Sequence, residues 1–210
     1  MPMEDVLDPS RTALVVADMQ RDIVAHFAFD KDVVGRMAKA VAGARQRGLP
    51  IMYVVVHRRA NGGGAVPAIT DAALQQASSG QAPAMPADFL HEEASGTQIV
   101  DELTPQPNDY LVVKRRVSAF YGTSLEIFLR SAGIDTILIG GVATNMVVEG
   151  TCREARDRDF NCVVLSDCCS APSQEAHEWP LANSFPRMAR VRTAGEAMAM
   201  LDRFSTARKV

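Results

Sequence analysis

Gly140-Gly141-Val142-Ala143-Thr144-Asn145-Met146-Val147-Val148 joins a very apolar run, residues 136–139, to a run with helical spacing, residues 145–157. A strand that ends in two glycines and opens a helix is a strand–turn–helix junction. In an open α/β sheet such junctions face the ligand crevice at the carboxyl ends of the strands. The first N–H groups of the helix are expected to point into that crevice unpaired, with the positive end of the helix dipole behind them. The stretch therefore predicts the floor of a binding site.

The rest of the chain supplies the sheet this junction requires. Residues 12–17 are continuously apolar and end at Asp18, and residues 51–56 repeat the pattern and end at His57-Arg58-Arg59. Such runs fit strands buried on both faces, as in parallel sheets. Between them, Val33, Val34, Met37, Ala38, Val41 and Ala44 have helical spacing, stopped by Gly48 and Pro50. Residues 109–114 make a third strand ending in Lys114, residues 161–165 a fifth, and residues 188–191 a short edge strand. Thr123 with Glu126, and Thr193 with Glu196, have capping-box spacing and open helices. Residues 173–185 read as helical despite Pro180. Strand and helix patterns alternate about six times, which predicts a doubly wound parallel sheet with helices on both faces.

Periodicity fades from residue 60 to residue 108. That part holds Gly62-Gly63-Gly64, Ser78-Ser79-Gly80 and five prolines. So long an irregular stretch is unusual in a compact domain and often functional. It reads as a lid or an oligomer arm inserted in one domain spanning residues 1–210, with a short helix expected over 71–77 and an extended piece over 98–102. The triple glycine lacks the flanking strand, helix and Lys-Ser/Thr ending of a phosphate loop.

Bulk properties narrow the function classes. The chain has 210 residues, 47% hydrophobic, with net charge −3. Such a chain builds a sizeable core and carries no electrostatic footprint for nucleic acid. No apolar run approaches the roughly 20 residues of a membrane span. The N-terminus lacks a signal-peptide layout. Cys152, Cys162, Cys168 and Cys169 form neither a disulfide framework nor a C-x-x-C metal pattern. A cytoplasmic setting and a small-molecule substrate are expected, with neither nucleic acid nor membrane as partner.

Asp18, Lys114 and the Gly140-Gly141 junction should all open on one edge of the sheet. The motifs Val15-Val-Ala-Asp18-Met19-Gln20, Lys114 with Ser118-Ala-Phe120-Tyr121-Gly-Thr123, Gly141-Val142-Ala143-Thr144-Asn145 with Glu149-Gly-Thr151, and Val163-Val-Leu-Ser166-Asp-Cys168 resemble the isochorismatase-like (cysteine hydrolase) superfamily. The resemblance runs from about residue 12 to about residue 171. It implies a three-layer α/β/α fold with a six-stranded parallel sheet ordered 3-2-1-4-5-6. It implies an Asp–Lys–Cys triad whose first two members match Asp18 and Lys114, and a cis peptide between Val142 and Ala143 that orients backbone donors. It also suggests a homodimer or homotetramer. Gln20, Arg58, Phe120, Tyr121, Val142, Ala143 and Thr144 are then the candidate substrate contacts. Arg58 and Arg59 suit an anionic group, and Phe120 and Tyr121 either wall the crevice or pack in the core.

The third triad member is missing. The superfamily's nucleophile follows Thr-Asn-x, where this chain has Val147. Valine cannot attack a carbonyl or carry an acyl group. Cys152 lies five residues on, which at about 100° per residue turns it roughly 140° away. Cys168 and Cys169 follow the fifth strand on the correct sheet edge, or are small buried hydrophobes. Nicotinamidases of the superfamily bind a metal through an Asp-x-His…His set, but His57 has no Asp two residues before it and His91 lies far along the loop. No metal and no cofactor is expected, and His26 and His177 read as surface or helix-packing residues. The expected activity is hydrolysis by water addition to a vinyl ether, an amide or a related bond through Asp18 and Lys114. The alternative is a degenerate member that binds small molecules without turnover.

Overall fold

In the computed structural model, residues 5–59, 85 and 87–207 are described. Six parallel strands run in the order β3-β2-β1-β4-β5-β6. They are β1 (Thr12–Ala17), β2 (Ile51–Val56), β3 (Tyr110–Lys114), β4 (Thr136–Val142), β5 (Asn161–Ser170) and β6 (Arg190–Arg192). The α-helices are α1 (Arg21–Phe27), α2 (Val33–Gln46), α3 (Leu125–Ser131), α4 (Glu149–Asp157), α5 (Gln174–Asn183) and α6 (Ala194–Ala207). All six residues of β1 are buried, because the sheet is covered on both faces. Alternate residues enter two cores. Leu14 and Val16 meet α2 and α6 through Met37, Val41 and Leu201, while Ala13, Val15 and Ala17 face Leu125, Leu129 and Val148 across the sheet.

The register brings the strand ends level. Ala17 lies opposite Val54 on one side and Gly141 on the other, and Val56 lies opposite Lys114. Asp18, Lys114 and the glycine junction therefore emerge at one edge. Gly141 has φ +149°, and a Cβ there would stand 2.0 Å from the Ala17 carbonyl oxygen. Only a glycine lets β4 run this close to β1.

Several local expectations change. The junction does not open directly into an α-helix: residues Thr144–Val148 form a π-helical turn before α4. The Ala143 carbonyl accepts from the N–H groups of both Met146 (3.1 Å) and Val148 (3.3 Å), so these two do not point unpaired into the crevice. The fifth strand does not end at 165 but continues to Ser170, with a register shift against Ile139 and Gly141, and so takes in the Ser166-Asp-Cys-Cys segment that follows. The Thr123 capping box is not made. Its hydroxyl donates to the Ala119 carbonyl (2.6 Å) and accepts from Leu125 N–H (3.2 Å), while Glu126 pairs with Arg158 (3.1 Å). The Thr193 box is made, with Thr193 N–H donating to Glu196 Oε2 (2.7 Å) and Glu196 N–H donating to Thr193 Oγ1 (3.3 Å).

α1 has no counterpart in the sequence reading; its seven residues bury only Ile23 and Val24. Residues 98–102 are not one extended piece. Ile99 makes a single antiparallel bridge to Gln20, and Asp101–Leu103 is a 3-10 turn. The described end of the long insertion is anchored: Phe89, Leu90 and Leu103 are buried, and Arg58 bridges His91. The helix expected over 71–77, the triple glycine and the Ser78-Ser79-Gly80 segment lie outside the described residues.

Candidate active site

Asp18 leaves β1 at φ 52°, a left-handed conformation that Asp tolerates better than most side chains. Its N–H stays on the sheet, donating to Val54 O (2.8 Å). The carboxylate turns onto Lys114, whose Nζ stands 2.8 Å from Asp18 Oδ2. Both residues are only 4% exposed. Lys114 Nζ also donates to the Arg116 carbonyl (3.1 Å). An ammonium carries three donors, so one remains after these two bonds. Asp18 Oδ1 is buried and has no hydrogen-bond partner among the described residues. Burial raises the Asp18 pKa to about 6, against the opposing pull of the Lys114 charge. Its proton therefore exchanges near neutral pH.

These two groups form the floor of a cavity of about 460 Å³, within the range of small-molecule sites. Its walls are Ile23, Phe27, Val56, Phe89, Leu90, Val117, Val142, Ala143, Met146, Val147 and Pro172, with Asn145, His57, Arg58, Arg115 and Arg116 as the other polar or charged members. The Val142–Ala143 peptide is cis. Val147 is 2% exposed and lines the cavity with an apolar side chain that carries no nucleophilic atom. Burial, and the Arg115 charge, push the His57 imidazole below its ordinary pKa. Among the described residues no three His, Cys, Asp or Glu side chains gather into a metal-holding group.

Six of the ten candidate site residues line this cavity: Asp18, Lys114, Val147, Arg58, Val142 and Ala143. The other four do not. Gln20 is fully buried and spent on backbone: Nε2 donates to Val56 O (3.0 Å) and Thr97 O (2.6 Å), and Oε1 accepts from Val56 N–H (2.8 Å). It ties the end of β2 to the insertion. Phe120 is a core residue stacked against Phe160 at 5.6 Å. Tyr121 is 62% exposed and outside the cavity. Thr144 is buried behind the junction, its hydroxyl 3.0 Å from Ser170 O and 2.8 Å from His177 Nδ1. His177 thus braces the junction as well as packing on its own helix.

The cysteines stay out of the site. All four are buried thiols, and none lines the cavity. Burial pushes Cys169 up to about 12 and Cys168 higher still. Cys152 is pushed up by its hydrogen bond with Cys162 and by burial. A protonated buried thiol is no nucleophile. The sequence reading missed Phe27, Phe89 and Asn145 in the cavity. Asn145 was legible as the neighbour of Thr144 in the junction; the two phenylalanines sit on elements whose placement no local pattern announces.

Comparison with known proteins gives this geometry a family. Residues 12–196 match the Isochorismatase domain. The chain is 36% identical over 202 residues to the isochorismatase family protein YecD of Escherichia coli O157:H7, covering 93% of this chain and 98% of YecD. It is 32% identical over 198 residues to the ureidoacrylate amidohydrolase RutB of Methylobacterium radiotolerans, covering 87% of this chain and 76% of RutB. An isochorismatase family protein of known structure from Burkholderia thailandensis superposes with a TM-score of 0.81 at 33% identity, covering 94% of this chain and 98% of that one. The sheet order, the strand-end pair and these matches agree: the chain belongs to the isochorismatase family, which includes hydrolases such as RutB.

Proposed function

We propose that the protein is a small-molecule hydrolase that adds water to its substrate through Asp18 and Lys114, without a covalent enzyme intermediate. One observation carries this reading. Asp18 has one oxygen on Lys114 and the other unpartnered, in a cavity whose wall at the nucleophile's position is Val147. RutB is an amidohydrolase by name, which supports an amide or ureide as the bond cleaved.

The chemistry follows from these groups. Ionised Asp18 takes a proton from a water molecule at Oδ1, and the water oxygen adds to the substrate carbonyl carbon. The carbonyl electron pair moves onto its oxygen, where the remaining Lys114 donor meets the negative charge. Collapse of the adduct expels the amine, which receives the proton held by Asp18. For a vinyl ether the order reverses: protonated Asp18 gives its proton to the substrate carbon first, water adds to the resulting cation and returns a proton to Asp18, and the hemiketal so formed breaks its C–O bond to release alcohol and carbonyl compound. A pKa of about 6 serves either direction.

The test is turnover of amides, ureides and vinyl ethers by wild type, Asp18→Asn and Lys114→Ala. Both substitutions should lower kcat/KM by about a hundredfold or more. Equal rates in wild type and Asp18→Asn would sink the acid–base role. A second reading, binding without turnover, is favoured by Val147 alone. It predicts a calorimetric binding signal with no product from any substrate class, and hydrolysis lost in Lys114→Ala excludes it.

A further inference from the structure

Helical spacing gives α5 two faces. His177 and Pro180 turn inward, the first onto Thr144 and the second into the fold. Glu175, Glu178, Trp179 and Ala182 share the opposite stripe and are exposed, Trp179 to 59%. A lone apolar residue in water would mean little. The charges on either side of this indole give it a meaning.

On one side Trp179 borders a shallow depression that holds Glu175 and Glu178 and no cation. Glu178 accepts from the neutral Gln174 amide (2.7 Å), which leaves its charge uncompensated. On the other side Trp179 borders a groove of about 560 Å³ that carries Arg153, Arg156 and Arg187 against one acid, Asp157. Arg153 is held by Glu149 (2.5 Å). Arg156 and Arg187 have no carboxylate within ion-pair distance among the described residues. Acid, aromatic and base therefore follow one another across one exposed face.

Such a face complements itself after a half-turn. In a two-fold contact each residue i that meets j is repeated as j meeting i. With the axis between Trp179 and Ala182, α5 lies antiparallel to its mate. Each indole then covers the small Ala182 of the other copy, and Glu175 and Glu178 approach the other copy's Arg187 and Arg156.

We propose that this face joins two copies of the chain in an isologous dimer, with Trp179 as the buried anchor and Glu175 paired with the other copy's Arg187 at both ends. Tryptophan and arginine are the side chains that most often carry interface energy, and opposed charges on the two halves fix the register. The face is separate from the Asp18 cavity, whose lining includes none of these residues, so the proposal stands whatever the reaction is.

Sedimentation of the full chain at micromolar concentration and low salt tests it. Glu175→Arg and Arg187→Glu each set like charges against one another twice, because symmetry repeats the contact. Each should raise the dissociation constant by about a hundredfold and sediment at half the wild-type mass. Trp179→Ala should do the same. All three positions are exposed, so circular dichroism should be unchanged. Mixing the two charge variants sets the cations of one chain against the acids of the other at both contacts, and the mixture should regain the wild-type mass. The chain that carries both charge substitutions should regain it too. Misfolded variants could not complement one another in this way. A wild type that sediments as a single chain leaves the face to a partner of other chemistry and overturns the proposal. A charge variant that keeps the wild-type mass, or a mixture that stays at half of it, overturns it as well.

Discussion

Asp18 and Val147 share one cavity and have opposite consequences for chemistry. The carboxyl is held near neutral pKa by burial, and the valine carries no atom that could form an acyl bond. Placing one there is informative. In Val147→Cys the thiol should stand beside Asp18 and react with iodoacetamide, while the four native thiols, all buried, stay unmodified in the folded protein. Mass spectrometry of the intact chain should show one added group in the variant and none in wild type; labelling of the folded wild type would mean that a native cysteine is reachable after all. Asp18 and Lys114 were legible because a charge directly after a fully apolar strand has no packing reason to be there. Gln20 was not: its neighbours looked like a site motif, but its amide is consumed by three backbone bonds. Phe120 takes the core alternative left open for it and Tyr121 takes neither, because adjacent residues leave the chain in different directions, here into the core and into solvent.

At the scale of elements, the close pass of β4 by β1 sets the site. A methyl group on Gly141 would collide with the Ala17 carbonyl oxygen at 2.0 Å and its carbon at 2.8 Å. Both are backbone atoms one residue before Asp18. Gly141→Ala should therefore destabilise the fold by about 3 kcal/mol or more and disturb the Asp18–Lys114 pair, measured by urea unfolding and by turnover. A loss under about 0.5 kcal/mol, the range of neutral surface changes, would mean that the strands separate easily. Long apolar strands announced themselves through composition, while their order was legible only through the family resemblance. The π-helical turn did not, because Thr144–Val148 has the same apolar spacing whether it winds as α or π. Helix α1 escaped for the opposite reason: with two buried residues in seven, it has almost no apolar stripe to read. The Thr123 box failed because Arg158 competes for Glu126, a long-range pairing that local spacing cannot reveal.

For the whole molecule, two cores on either face of one sheet hold the strand ends, and the described part of the insertion packs over them through Phe89 and Leu90 and is tied to Gln20. No described helix is long and apolar enough to cross a membrane. The sheet ends at β3, where Leu111 and Val113 are exposed on an edge strand, a surface that natural proteins tend to cover. We expect a homodimer or homotetramer, and light scattering at micromolar concentration should return a multiple of the 22.7 kDa chain mass; a monomer at that concentration contradicts it. The charge on the buried pair has a pH signature as well. The folded pKa of Asp18 is raised above its ordinary 3.8, so ionisation is disfavoured in the fold: its contribution to stability is fully present below about 3.8 and is lost as pH rises through about 6. The same titration governs turnover. The decisive measurement is kcat/KM from pH 5 to pH 8 for wild type and Asp18→Asn on whichever amide or ureide the wild type turns over. The wild-type rate should rise through a single step near pH 6, as Asp18 ionises to accept the proton of water, and level off above it. The variant should be slower by about a hundredfold and lack the step; a variant that keeps both the step and the rate contradicts the central claim.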